Sequence, residues 1–130
     1  MSTFDPIVKT LEVDGRVFTY VGPNWKWEGY SEYVTKFIPK GRKTEISARL
    51  ETDRSGKVTT IVTHAGYGRE RINYRVRSPS GLEFGFGGTF TGFMHLFGVG
   101  REDIKRSSRT RKPLANGWQF WRVNHVIFIP

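Results

Sequence analysis

Residues 71–77 read Arg-Ile-Asn-Tyr-Arg-Val-Arg, polar and apolar in strict alternation over seven positions. A period of two marks a β-strand with one face on a core and the other in water, because successive strand side chains leave on opposite sides. A helix would scatter the same apolar residues around its circumference. The segment therefore requires a sheet. It predicts Ile72, Tyr74 and Val76 facing inward, with Arg71, Asn73, Arg75 and Arg77 as a basic ladder on the other side. The turn Ser78-Pro79-Ser80-Gly81 follows, with Pro fixing φ and Gly accepting a left-handed conformation. Leu82, Phe84 and Phe86 complete a hairpin, and Gly85, Gly87 and Gly88 predict a pliant far end.

The first half repeats the strand signal. Asp14-Gly15 sits between two alternating arms and suits a type I′ turn, whose two central residues both need positive φ. Gly22-Pro23-Asn24 breaks the pattern. The aromatic-rich segment around Trp25, Trp27, Tyr30 and Tyr33 reads equally as a pinned loop or an edge strand. Residues 45–51 and 57–64 flank the turn Asp53-Arg54-Ser55-Gly56 and read as two antiparallel strands of a meander.

After residue 88 the period changes. Phe90, Phe93, Met94 and Phe97 fall at i, i+3, i+4 and i+7, one face of a short helix. Thr89 fits its N-cap and Gly98 the position past its end. A second helix is predicted from about residue 101 to 108, with Ile104 inward, Arg101, Lys105 and Ser108 or Arg109 outward, and Pro113 as its stop. Asn116-Gly117 then turns the chain into a closing strand over residues 118–129. The expected fold is α+β: mainly antiparallel β-sheet with a short helix–turn–helix-like pair near residues 89–109. Residues 1–70 form a β-rich region without an assigned role. Residues 71–130 form a hairpin, helical pair and closing strand, a candidate nucleic-acid-binding module; the pattern is also compatible with one continuous domain.

Charge points to the partner. The chain has 130 residues and a formal charge of +9. Residues 1–67 hold 10 Lys+Arg and 8 Asp+Glu, whereas residues 68–130 hold 11 and 4, so the excess lies in the second half. Concentrated positive charge favours a polyanion, because released counterions drive binding. The nucleic-acid-binding candidates are Arg71, Arg75 and Arg77 on the strand, with Arg101, Lys105, Arg106, Ser108, Arg109, Arg111 and Lys112 on and after the second helix. Ser107 and Thr110 are further phosphate donors by the same reasoning. Arg101, Lys105 and Arg109 are the candidates for the major groove, where Arg can bond guanine in two places.

Other classes receive less support. No cysteine is present, so disulfides and thiolate metal sites are excluded. His64, His95 and His125 fall in no metal-ligand spacing, and neither a metal nor a cofactor is expected. A metal-independent ribonuclease would use His64, Glu70 and Arg71 as general base and phosphate clamp. An inhibitor or adaptor for a host protein would use Trp25, Trp27, Tyr30 and Tyr33 as exposed anchors. No apolar run approaches the roughly 20 residues that cross a bilayer. The N-terminus has neither the basic nor the apolar region of a secretory signal, so a cytoplasmic protein is expected.

The run Tyr74-Arg75-Val76-Arg77-Ser78-Pro79-Ser80-Gly81, then Phe90-x-x-Phe93, a basic second helix and Asn116-Gly117-Trp118, resembles a module of phage homing endonucleases. There it forms a DNA-binding tail beside an HNH or GIY-YIG nuclease domain. The resemblance spans residues 72–123, and neither nuclease motif accompanies it. Gln119-Phe120-Trp121 is also similar to the Asn-Gly-Trp-x-Phe-Trp ending of a modified-DNA-associated module. The resemblance implies a small DNA-binding protein of phage or mobile-element origin, acting on duplex DNA in the host cytoplasm.

Overall fold

Alternation in both halves of the chain builds a single sheet. The computed structural model describes residues 9–24, 27–63 and 72–123. Its strands are β1 (Thr10–Val13), β2 (Arg16–Pro23), β3 (Ser31–Phe37), β4 (Ile46–Thr52), β5 (Val58–Thr63), β6 (Ile72–Arg77), β7 (Glu83–Gly87) and β8 (Gln119–Arg122), with helices α1 (Phe90–Phe97) and α2 (Arg101–Thr110) before β8. The strands pair in the order β1-β2-β3-β4-β5-β7-β6-β8. All neighbours are antiparallel except β5 and β7, which run parallel through Thr60↔Gly85, Ile61↔Phe86 and Val62↔Gly87. The α+β class and the mainly antiparallel sheet therefore hold, with one parallel joint among the described strands. No helix among the described residues is long and apolar enough to cross a membrane.

Turn chemistry fixes the hairpins. Asp14 and Gly15 both have positive φ, 44° and 89°, as a two-residue turn matched to strand twist requires. At the β6–β7 turn, Gly81 has φ 90° and donates its N–H to the Ser78 carbonyl at 2.9 Å. The Ser78 hydroxyl accepts the Leu82 N–H at 3.2 Å and is itself buried. Thr89 caps α1 by accepting the Gly92 N–H at 3.1 Å, and left-handed Gly98 ends the helix with its N–H on the Met94 carbonyl.

Both helices lie on one face of the sheet. That face carries Phe18, Tyr33, Leu50, Ile61, Val76, Phe84, Phe86 and Phe120, which form one core with Phe93 and Leu96 of α1 and Ile104 of α2. Phe93 is its centre, with ring centroids 4.4 Å from Phe86, 5.4 Å from Trp118 and 5.5 Å from Phe120. Such aromatic pairs add about 0.5–1.5 kcal/mol each beyond their buried area.

Several expectations need correction. The pairing of β6 with β7 shifts between Ile72 and Tyr74, which moves Ile72 to the face away from the helices. There it covers Gly85, where a Cβ would lie 2.9 Å from Ile72 Cγ2. Gly85 and Gly87 thus belong to a buried strand flanked on both sides, and the missing side chain of Gly85 makes room for Ile72. In α1 the buried residues are Gly92, Phe93 and Leu96, while Met94 is 42% exposed. The α2 helix ends at Thr110 because Arg111 turns left-handed with φ 58°, two residues before Pro113 acts. Tyr33 is core at 4% exposure on β3, not an exposed anchor. The closing strand is described only as Gln119–Arg122, and its predicted continuation past residue 123 lies outside the described residues.

Twist brings distant strands together. The Asp14 carboxylate, at the β1–β2 turn, accepts the Ser80 N–H at 3.1 Å and the Ser80 hydroxyl at 3.0 Å. Five strand-to-strand steps separate β2 from β6 in the sheet. At roughly 20–25° per step, twist accumulates to roughly 100–125°, enough to swing the β1–β2 turn toward the far hairpin. Arg16 secures α1 inside this curl. It donates to the His95 carbonyl at 3.1 Å and the Leu96 carbonyl at 3.3 Å, with its guanidinium 4.1 Å from the Phe37 ring. A cation at a helix C-terminus also opposes the negative end of the helix dipole.

Candidate nucleic-acid interface

The candidate nucleic-acid-binding cations lie on two surfaces. On β6, Val76 pairs across the sheet with Phe120 on the helix-covered face, so Arg75 and Arg77 point from the opposite face. Their cross-strand neighbours there are Trp121 and Gln119 of β8. The α2 cations belong to the other side, where Ile104 and Ser107 bury the inner edge of the helix against the core. Alternation in the sequence already separates Arg75 from Val76. Only the packing tells which of the two faces receives α2.

Charge is unevenly placed along α2. Its first turn carries Glu102 and Asp103, which suit the positive end of a helix dipole. Lys105, Arg106, Arg109, Arg111 and Lys112 follow without an intervening acid. Arg106 is held by Asp103 at 2.7 Å in an exposed i,i+3 pair, an arrangement that contributes under about 1 kcal/mol to stability. Lys105, Arg109, Arg111 and Lys112 make no ion pair among the described residues. Arg101 is exposed, with its guanidinium 5.7 Å from the Phe90 ring.

The hydroxyls of α2 are already engaged. Ser107 is 1% exposed; its hydroxyl donates to the Lys112 carbonyl at 2.8 Å and accepts the Phe120 N–H at 3.1 Å. That position is closed to a phosphate, contrary to expectation. Its role is to anchor the segment after α2 to β8, a task shared by Gln119, which donates to the Arg111 carbonyl at 3.2 Å. Ser108 donates to the Lys105 carbonyl at 2.9 Å and Thr110 to the Arg106 carbonyl at 2.9 Å. Backbone anchoring thus positions Arg111 and Lys112 while both side chains remain exposed.

Some predicted positions fall elsewhere. Arg71 and the ribonuclease candidates His64 and Glu70 lie outside the described residues, as does Trp25. Trp27 is 39% exposed and 6.1 Å from Tyr30, which is half-buried. No group of three or more His, Cys, Asp or Glu positioned for a metal ion occurs among the described residues. A second basic cluster escaped the sequence reading: Lys40, Arg42 and Lys43 in the β3–β4 loop, where Arg42 donates to His95 Nε2 at 2.9 Å. Its signal was the run Lys40-Gly41-Arg42-Lys43, hidden by acids elsewhere in the first half. Arg122, also unassigned from the sequence, pairs opposite Tyr74 at the end of β8.

Comparison with protein-family models, curated proteins and solved structures found no match to this chain.

Proposed function

We propose that this chain is a small, non-enzymatic DNA-binding protein of phage or mobile-element type that holds duplex DNA through the second half of α2 and the segment after it. The observation that carries the reading is the run from Lys105 to Lys112. It presents five cations and no acid, four of them without an ion pair among the described residues, on a segment tied to the core by Ser107. Arg and Lys meeting phosphates would supply affinity, and an Arg reaching a guanine edge would supply sequence preference. In this reading α1, the Gly98–Gly100 link and α2 act as a helix–turn–helix-like pair. Glu102 and Asp103 would repel phosphates from the first turn of α2, so the duplex approaches from the C-terminal half. A protein of this type would act on duplex DNA in the host cytoplasm, as the tail-module resemblance of residues 72–123 implies.

The test is charge reversal at Lys105, Arg106 and Arg109 together. The Lys105→Glu, Arg106→Glu, Arg109→Glu protein is expected to lose duplex retention at moderate salt while keeping its thermal unfolding profile, since none of the three side chains is buried. Equal duplex affinity of parent and variant at low salt would remove the reading.

A further inference from the structure

We propose that the sheet face turned away from the helices is a separate binding platform for single-stranded nucleic acid, centred on Trp121 with Arg75 and Arg77. This surface is physically distinct from the α2 surface, and the inference does not depend on the duplex reading.

The register defines the platform. On β6 and β8, Arg75 lies opposite Trp121 and Arg77 opposite Gln119, all four on the outer face. Arg75 also lies opposite Gly85 of β7, which offers no side chain above the backbone. Ile72 fills the space over Gly85 with a Thr60 methyl beside it, so an apolar patch adjoins Arg75 on the side away from the indole. Arg75, Arg77 and Asn73 are exposed. Neither arginine makes an ion pair among the described residues, and Glu83, directly across from Arg77, is the acid nearest to them in the pairing.

The chemistry selects the ligand. The guanidiniums on either side of Val76 supply charge for successive phosphates; two residues along a strand span about 6.8 Å, close to one nucleotide step of an extended chain. A half-buried indole beside cations offers its ring to a flat π-face. Single-stranded bases offer that face, whereas a duplex buries its bases in the stack and presents phosphates and groove edges instead. Among the described residues this sheet surface also carries no helix that could enter a groove. Asn73, exposed on β6, places an amide donor and acceptor at the margin, where base edges would lie.

The test uses the full chain and three probes: a fifteen-nucleotide oligothymidylate, a blunt duplex of the same length, and a poly-glutamate peptide of similar charge. Binding is read by anisotropy at low salt. Trp121→Ala is expected to weaken the oligothymidylate about 5- to 100-fold, the range typical of losing one base stack. Trp121→Phe should restore most of this loss, and Arg75→Gln with Arg77→Gln should reproduce it without touching the aromatic. The α2 charge-reversal variant should retain the oligothymidylate within about twofold, which separates failure of this inference from failure of the duplex reading. The exposed arginine pair keeps the test decisive should Trp121→Ala fail to fold. Any of three results overturns the platform: no oligothymidylate binding by the parent, equal binding of poly-glutamate, or affinity unchanged in the outer-face variants.

Discussion

Thr63 and Gly88 show how one contact sets the position of a helix. The Thr63 hydroxyl, fully buried, accepts the Thr89 N–H at 2.7 Å and donates to the Thr89 carbonyl at 2.9 Å, so the start of α1 is fastened to the end of β5. Gly88 has φ 98°, and a Cβ there would overlap the Thr63 carbonyl oxygen. Gly98, with φ 75°, has open space around its missing side chain. Gly98→Ala should therefore carry only the left-handed backbone penalty of about 1–2 kcal/mol, whereas Gly88→Ala should add steric overlap and exceed about 2 kcal/mol. Urea unfolding of the two variants checks this; coincident midpoints would contradict it. The role of Gly98 was legible, because a helix-ending glycine is a local signal. The role of Gly88 was not, because its partner is a backbone carbonyl on another strand. Arg16 illustrates the same limit: nothing beside it in sequence announces that it reaches the end of α1.

Among the elements, the β4–β5 turn offers a pH test. The Asp53 carboxylate accepts the Ser55 hydroxyl at 2.6 Å, the Ser55 N–H at 2.9 Å and the Lys57 N–H at 3.0 Å. These bonds favour the ionised form, the Ser55 hydroxyl most, and hold its pKa below the ordinary value of 3.8. A folded-state pKa lowered in this way gives stability that is present above the unfolded value and lost as pH falls through the folded one. Parent protein should lose stability between pH 5 and pH 2 more steeply than Asp53→Asn, whose amide does not titrate; identical acid-side slopes in chemical unfolding would exclude the effect. This turn was readable from Asp-x-Ser-Gly, and so was the hairpin at Asp14-Gly15. The parity of Ile72 was misread because a strict alternation can still be interrupted by a register shift, here one that seats Ile72 over Gly85. On α2, Ile104 was correctly placed inward. Ser107 was not recognised as core because its burial depends on the arrival of Phe120.

For the whole molecule, salt dependence separates its two basic faces. If Lys105, Arg109, Arg111 and Lys112 each neutralise a phosphate, log affinity for duplex should fall against log salt with a slope of about −3 to −4; adding Arg75 and Arg77 would steepen it to about −5. A titration with parent and Arg75→Gln, Arg77→Gln proteins measures the difference, and equal slopes mean that the duplex leaves the outer face free. The sheet class and the helical pair were legible because both rest on short-range periodicity. The division of the cations between faces was not, because it depends on which side of the sheet α1 and α2 choose, a decision made by Phe93, Ile104 and Trp118 packing together. The parallel joint between β5 and β7 has a further consequence. A graft of residues 72–123 onto an unrelated host would leave behind the Ile61 partner of Phe86 and the Thr63 fastening of α1. Such a transplant would arrive with β7 as a bare edge, so recombination that moves this piece as a working cassette has to carry β5 along with it.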